Sequence, residues 1–146
     1  MAVQTSAGST LSIATGTPAT NDAAGFLAMT WVLVSEITNL GEFGRVYTSV
    51  PHNPIGERGT KHYKGSYNNG SMALTLARDA TAAGQIALKA ALMSDADYSF
   101  KVTYQDATRS QFLGKVLQFK TTIGGVDSIT GLSCTIELSS SDIVES

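Results

Sequence analysis

The residues best suited to chemistry in this chain of 146 residues are two histidines, a group of aspartates and one cysteine. His52 and His62 stand ten positions apart, with no cysteine beside them and no helical H-x-x-x-H spacing, which argues against a zinc site. Asp95, Asp97 and Asp106 lack the loop pattern and the closing glutamate of an EF-hand, so these aspartates predict turns. We therefore expect no metal site.

Two further patterns resemble phosphate-binding or catalytic motifs but fail on spacing. A P-loop has four residues between its glycines and a lysine directly after the second. In the segment GERGTK, two residues separate Gly56 from Gly59, and Thr60 precedes Lys61. Ser, His and Asp all occur, yet no G-x-S-x-G element does, and 16 Ser with 17 Thr make chance proximity common. We expect neither an enzyme nor a cofactor.

The single cysteine, Cys134, cannot form an internal disulfide. It lies in an alternating run where it shares one face with Leu132 and Ile136, because side chains alternate along a strand. This position favours a small buried core residue over a reactive thiol.

The composition points towards contacts between proteins rather than with nucleic acid or lipid. Charged residues make up 15% of the chain, against about 25% in ordinary soluble proteins. The net charge of -2 argues against a DNA-binding domain, which needs clustered Lys and Arg. The N-terminus lacks a basic and apolar leader, and no apolar run approaches membrane-spanning length. We expect no signal peptide, no membrane contact and synthesis in the cytoplasm.

The elements that must position these residues are predicted to be mainly strands in a single domain. Ser, Thr, Ala and Gly dominate the N-terminal part, which predicts an extended arm or a short edge strand at residues 1–25. An Asn-Gly pair at residues 69–70 predicts a hairpin between the strands on either side. Prolines and glycines predict a long loop at residues 50–63, and the chain closes with a short acidic tail, residues 139–146. The predicted strands are residues 27–37, 45–50, 60–67, 71–78, 98–105, 109–122 with a bend near Gly114, and 130–139.

One segment, residues 84–95, predicts a helix with apolar residues on two sides. Ile86 and Met93 belong to one stripe, whereas Leu88 and Leu92 lie nearly opposite. One stripe must pack on the sheet of this chain. The other contacts either a long loop of the same chain or a neighbouring subunit, and we assign Leu88 and Leu92 to the subunit contact as a hypothesis.

The order of these motifs resembles the major tail tube protein of long-tailed, non-contractile bacteriophages. The resemblance starts at the strand that holds Trp31 and runs through ITNLGEFG, KGSYNNGSMALTLARD, DATAAGQIALKAAL and YSFKVTYQD to the C-terminal strand. It implies a β-sandwich or rolled β-barrel of two antiparallel sheets flanked by one helix. It also implies hexameric rings that stack into the tail tube of the virion.

The resemblance implies partners as well. They are further copies of the chain, the tape measure protein, the tail terminator and the tail-tip proteins, while DNA passes through the lumen without specific binding. The tube subunit of a contractile tail or of a type VI secretion system is an alternative with the same fold. A monomeric β-sandwich that binds a ligand is the alternative from another class.

Opposite charges are segregated along the chain. Residues 43–78 carry five positive charges and one negative charge, whereas residues after 121 carry four negative charges. This pattern suits head-to-tail contacts between copies, so we hypothesise that the long loop bridges successive rings. An ordinary solvated surface and a phosphate-binding patch are the alternatives. The residues assigned to the loop contact are His52, Glu57, Arg58 and Lys61.

Overall fold

The computed structural model describes residues 3–139 and 142–146, and its architecture is mostly β, as predicted. Two helices accompany the strands, α1 (Ala23–Leu27) and α2 (Ala83–Met93). The sequence predicted only α2. The strands are β1 (Thr10–Ala14), β2 (Val32–Val34), β3 (Ile37–Asn39), β4 (Val46–His52), β5 (Lys61–Asn68), β6 (Ser71–Ala77), β7 (Tyr98–Thr103), β8 (Arg109–Thr122), β9 (Gly131–Leu138) and β10 (Val144–Glu145).

Most strands belong to one antiparallel sheet with the order β2-β1-β7-β8-β9-β6-β3, in which β10 pairs with the start of β8. Alternate side chains along β6 and β9 are buried, which gives each strand one apolar face. These faces, with those of β1, β2, β7 and β8, meet in a single apolar cluster that also includes α2. The sheet therefore curves around a shared core that the helix helps to close.

The predicted hairpin at residues 69–70 is wrong. β5 pairs with β4 in a separate two-stranded sheet, whereas β6 pairs with β9 and β3 of the large sheet. Gly70 has a φ of 84°, but Asn69 lacks the positive φ that a two-residue hairpin turn also requires. The buried Asn69 side chain instead donates a hydrogen bond from Nδ2 to the carbonyl of Ser139 (2.6 Å). The turn is thus a corner between two sheets, because Asn69 ties it to the end of β9.

The predicted edge position of the N-terminal strand is also wrong. β1 lies between β2 and β7, and its residues Leu11 to Ala14 are all buried. On the second face of β1, Ser12 is paired with Lys101, whose Nζ lies 4.9 Å from the centroid of the Trp31 ring. That ring stacks on the buried Phe26, so both aromatic side chains lie at this face. Residues 1 and 2 of the predicted arm lie outside the described residues.

The run at residues 27–37 is not one long strand. Its first residue, Leu27, is the last residue of α1, and the later residues belong to two short strands, β2 and β3. These two strands lie at opposite ends of the sheet order. Glu36 has a φ of 63°, and this left-handed residue turns the chain between the two strands. The covalent link at residues 35–36 thereby joins the two edges of the curved sheet.

The bend predicted near Gly114 falls slightly later in β8. The register with β9 shifts between Val116 and Gln118, which marks a β-bulge. The predicted acidic tail contains β10, which pairs with β8, while residues 140–141 of that tail lie outside the described residues. Neither described helix has the length and apolarity needed to cross a membrane.

Candidate assembly surface

The hairpin of β4 and β5 projects with both of its faces exposed. Every residue of β4 is exposed, and so is every residue of β5 except Gly65. Neither strand pairs with the large sheet in the described part of the chain. A lone two-stranded hairpin is marginally stable at best in water, so this hairpin is the element that most needs a partner.

The sequence of the hairpin favours strands and a sharp twist. β4 is rich in Val, Tyr and Thr, which fit a pleated strand. The register shifts between Tyr47 and Ser49, so β5 carries a bulge opposite Thr48. A Cβ on Gly65 would lie 2.8 Å from Cγ2 of Val50, so only glycine fits there without movement. Ile55 is fully exposed in the loop at the tip.

Side-chain alternation gives the hairpin two different faces. One face, here called the aliphatic face, comprises Val46, Val50 and Tyr63, and Val50 pairs directly with Tyr63. The pair of His52 and Lys61 lies on the same face at its outer end. The opposite face, here called the tyrosine face, comprises Tyr47, Lys64 and Tyr67. Away from its outer end, the hairpin therefore presents mainly apolar surface on one side and aromatic and cationic surface on the other.

Arg45 anchors the base of the hairpin. Its Nε donates to Oδ1 of Asn69 (3.1 Å), and its guanidinium forms an ion pair with Asp142. The same guanidinium lies 4.0 Å from the ring centroid of Tyr67. The hydrogen bond to Tyr47, followed by the one to Asp142, raises the pKa of Arg45 above its usual value. The guanidinium thus links both strands of the hairpin to the C-terminal segment.

The structure brings the predicted loop residues together at the outer end of the hairpin. His52 ends β4 and is paired with Lys61, which begins β5, while Glu57 and Arg58 lie in the connecting loop at residues 53–60. Nζ of Lys61 lies 3.6 Å from Oε1 of Glu57 in the same chain. The loop is shorter than predicted because residues 50–52 and 61–63 extend the strands. A contact between this loop and a neighbouring ring remains a prediction.

The assignment of Leu88 to a neighbouring subunit is wrong. Leu88 is fully buried in the core of its own chain, and Leu92 is half-buried against the same cluster. Ile86 and Met93, which were expected to pack on the sheet, are 56% and 80% exposed. The apolar side of α2 that is available to a partner is therefore the opposite one.

Contacts at the start of α2 explain this rotation. Gln85 is buried, donating from Nε2 to the carbonyl of Ala77 (2.8 Å) and accepting at Oε1 from the backbone N–H of Asp79 (2.9 Å). A Cβ on Gly84 would lie 2.3 Å from the carbonyl oxygen of Leu33, so the helix approaches β2 closely there. Periodicity alone cannot identify an amide that satisfies the backbone, so the burial of Gln85 was not predicted.

A further apolar surface was missed by the sequence analysis. In the loop between β8 and β9, Ile123, Val126 and Ile129 are 70%, 102% and 81% exposed. The signal was present as three aliphatic residues in a Gly-rich segment, but such residues are ordinary when scattered singly. Their concentration in one loop adds a second surface suited to protein contacts.

The described residues form no group of three or more His, Cys, Asp or Glu side chains that could hold a metal ion. Cys134 is buried, as its alternating run predicted, and burial raises the pKa of its thiol to about 11. The Nδ1 atom of His62 is paired with the hydroxyl of Ser49 (3.1 Å) on the exposed hairpin. The exposed surfaces described above are apolar or charged, which suits contacts with other proteins.

No family model and no curated protein matches the sequence. Solved structures do match its fold. A chain of the anti-feeding prophage baseplate, solved with 6-fold symmetry, aligns with a TM-score of 0.69 at 10% identity, covering 100% of this chain and 97% of that one. A chain of the PVC sheath/tube terminator, from an extracellular contractile injection system, aligns with a TM-score of 0.68 at 6% identity, covering 100% and 98%.

The SPP1 tail tube gives a third match, with a TM-score of 0.59 at 14% identity over 89% of this chain and 72% of that one. At such low identities the similarity concerns the fold alone. The chain therefore has a tail-tube-like fold, as the motif order predicted. The similarity does not single out the non-contractile type of tail.

Proposed function

We propose that this protein is a structural subunit of a phage-type tail, which assembles with copies of itself into stacked rings that form a tube. The observation that carries the proposal is the doubly exposed hairpin of β4 and β5 on a chain with a tail-tube-like fold. A strand pair that is exposed on both faces in its own chain is stabilised when another copy covers it.

The distribution of charge supports a second copy as the partner. The hairpin segment, residues 45–68, carries four positive charges and one negative charge, a net charge of +3. The whole chain carries -2, so the remaining residues carry -5, the difference between -2 and +3. A basic hairpin and an acidic body attract one another between copies.

The finer features of the proposal follow from the same assembly. The rings are hexameric, as the 6-fold symmetry of the baseplate that holds one structural neighbour supports. The loop with His52, Glu57, Arg58 and Lys61 contacts the next ring. DNA passes through the lumen unbound, and the tape measure, terminator and tail-tip proteins contact the ends of the tube. Tight binding of duplex DNA by assembled tubes at physiological salt would contradict the unbound passage.

A ring at one end of a tube is a second candidate function. Two structural neighbours that align over the whole chain come from structures of a baseplate and of a sheath/tube terminator. A terminal ring binds other proteins on one side, so its assembly stops at a single ring instead of growing into a stack. The two candidates therefore differ in the length of the assembly.

Two alternative functions predict different observations. A tube of a contractile tail or of a type VI secretion system has the same subunit and differs in the genes beside it, which include a sheath or secretion ATPase. A monomeric ligand-binding module stays a compact monomer at every concentration.

The test is sedimentation velocity of the purified chain over a range of concentrations, with negative-stain microscopy of the fast fraction. We expect rings that stack into tubes above a threshold concentration. Single rings that never stack favour the terminal role. A chain that remains monomeric at the highest concentration, both alone and with preformed tail tips added, contradicts self-assembly.

A further inference from the structure

The two faces of the hairpin differ in how many contacts their side chains already make within the chain. On the tyrosine face, the Tyr47 and Tyr67 rings lie 5.6 Å apart. Nζ of Lys64 lies 4.7 Å from the centroid of Tyr47, and the Arg45 guanidinium covers Tyr67. These aromatic rings already have cationic partners, and a protein that covered this face would have to strip water from the two cations.

On the aliphatic face, the cation Lys61 lies at the outer end and is paired with Glu57. Nearer the base, this face has no comparable contacts among the described residues. Val46 is 69% exposed, Val50 46% and Tyr63 56%, and the nearest ring to Tyr63 is that of His52, at 6.3 Å between centroids. Burial of aliphatic surface is favourable in proportion to the area removed from water. Covering this face therefore stabilises an assembly more than covering the tyrosine face does.

We propose that the aliphatic face of the hairpin is the side that packs on a second copy of the chain, while the tyrosine face stays in contact with solvent. The second copy is the occupant because the hairpin segment carries +3 and the rest of the chain carries -5. This inference rests on the proposed self-assembly and adds the orientation of the hairpin within it.

The first experiment compares two matched double variants. Val46→Thr with Val50→Thr keeps the β-branched shape of the aliphatic face but adds hydroxyls to it. Tyr47→Thr with Tyr67→Thr makes the same number of changes on the tyrosine face. We expect the valine variant to raise the threshold concentration for assembly by about tenfold, and the tyrosine variant to change it by less than about twofold.

The second experiment does not depend on whether those variants assemble or fold. Single cysteines are placed at the adjacent positions 49 and 50, on opposite faces, as Ser49→Cys and Val50→Cys. Native Cys134 is buried and serves as the unreactive background. On assembly, we expect the maleimide labelling rate to fall by at least about tenfold at position 50 and by less than about twofold at position 49.

The outcomes separate this inference from the proposed function. Protection at position 49 with free labelling at position 50, or loss of assembly in the tyrosine variant alone, overturns the assigned face but leaves self-assembly standing. Equal thresholds for both variants and the wild type also overturn it. A wild-type chain that never assembles overturns the proposed function and the orientation together.

Discussion

At the scale of single residues, function depends on which apolar side chains the fold leaves uncovered. Leu88 and Ile86 are both aliphatic and stand two positions apart in one helix, yet one is fully buried and the other is 56% exposed. Two buried contacts, the Gln85 amide and the Gly84 backbone approach, set that difference. Because Leu88 is buried in the core of its own chain, it contributes to the stability of the folded monomer.

A prediction at this scale follows from the difference in burial. Leu88→Ala should lower the free energy of unfolding by about 2–5 kcal/mol, because it leaves a cavity in the core. Ile86→Ala, the matched control on the same helix, should change it by no more than about 0.5 kcal/mol. Urea unfolding of the monomer followed by circular dichroism measures both. Similar losses in the two variants would show that α2 is rotated differently.

At the scale of elements, the chain separates a body that folds on itself from a hairpin that does not. The body contains the whole apolar cluster, whereas the hairpin strands contribute no residue to it. Asn69 and Arg45 hold the junction, where the backbone N–H of Gly44 donates to the carbonyl of Asn69 (3.3 Å). The hairpin can therefore pack on another copy without weakening the core of its own chain.

Removal of the hairpin tests this separation. Val46 and Asn68 are direct cross-strand partners, so replacing residues 47–67 by Asn-Gly closes the chain with a two-residue turn. We expect the free energy of unfolding to change by less than about 1 kcal/mol, because the removed residues are exposed, and we expect assembly to be lost. Thermal unfolding and sedimentation velocity measure the two effects.

A shorter deletion is the control for the hairpin variant. Replacing residues 54–59 alone by Gly residues keeps both strands and removes Ile55 with the charged loop. If this variant also fails to assemble, the tip carries the contact. If it forms rings that do not stack, the tip joins rings and the strands build them. A body that unfolds without residues 47–67 would show that the hairpin supports its own chain after all.

At the scale of the whole molecule, charge is divided between the two parts. The hairpin segment carries +3 and the remainder carries -5, so attraction between copies is partly electrostatic and weakens with salt. Within one chain, the Arg45–Asp142 pair uses one member of each set, and Lys61 pairs with Glu57. Arg58 forms no ion pair within the described residues and is left for a partner.

The salt dependence of assembly checks this division. Raising the ionic strength from about 0.01 to about 1 M shortens the screening length from about 30 to about 3 Å. We expect the threshold concentration for assembly to rise over this range, while the stability of the monomer stays nearly constant. Arg58→Gln should reduce the dependence, and Lys89→Gln, outside the hairpin, is the control. A threshold that falls with salt would indicate contacts dominated by apolar surface.

Much of the fold was predictable because local patterns agree with it. The alternation of Leu132, Cys134 and Ile136 predicted a half-buried strand, and the structure has β9 there with those residues inward. The run with Ile86 and Leu88 predicted the helix, and the order of such motifs predicted the tail-tube-like fold. The strand and helix signals each lie within a stretch of about a dozen residues, where spacing alone places side chains on a face. The expected fold came instead from the family resemblance, which extends over most of the chain.

The remaining features depended on contacts between distant parts of the chain. The Asn-Gly signal at residues 69–70 correctly placed a turn, but only the hydrogen bond from Asn69 to Ser139 decided that the turn joins two sheets. Leu88 faces inward because Gln85 and Gly84 meet Ala77 and Leu33, contacts that no spacing records. The sequence by itself determined α2 and most of the strands, whereas α1 and the division of residues 27–37 between β2 and β3 appeared only in the tertiary structure. The tertiary structure decided which apolar surfaces stay open, because burial depends on what the rest of the chain brings against each surface.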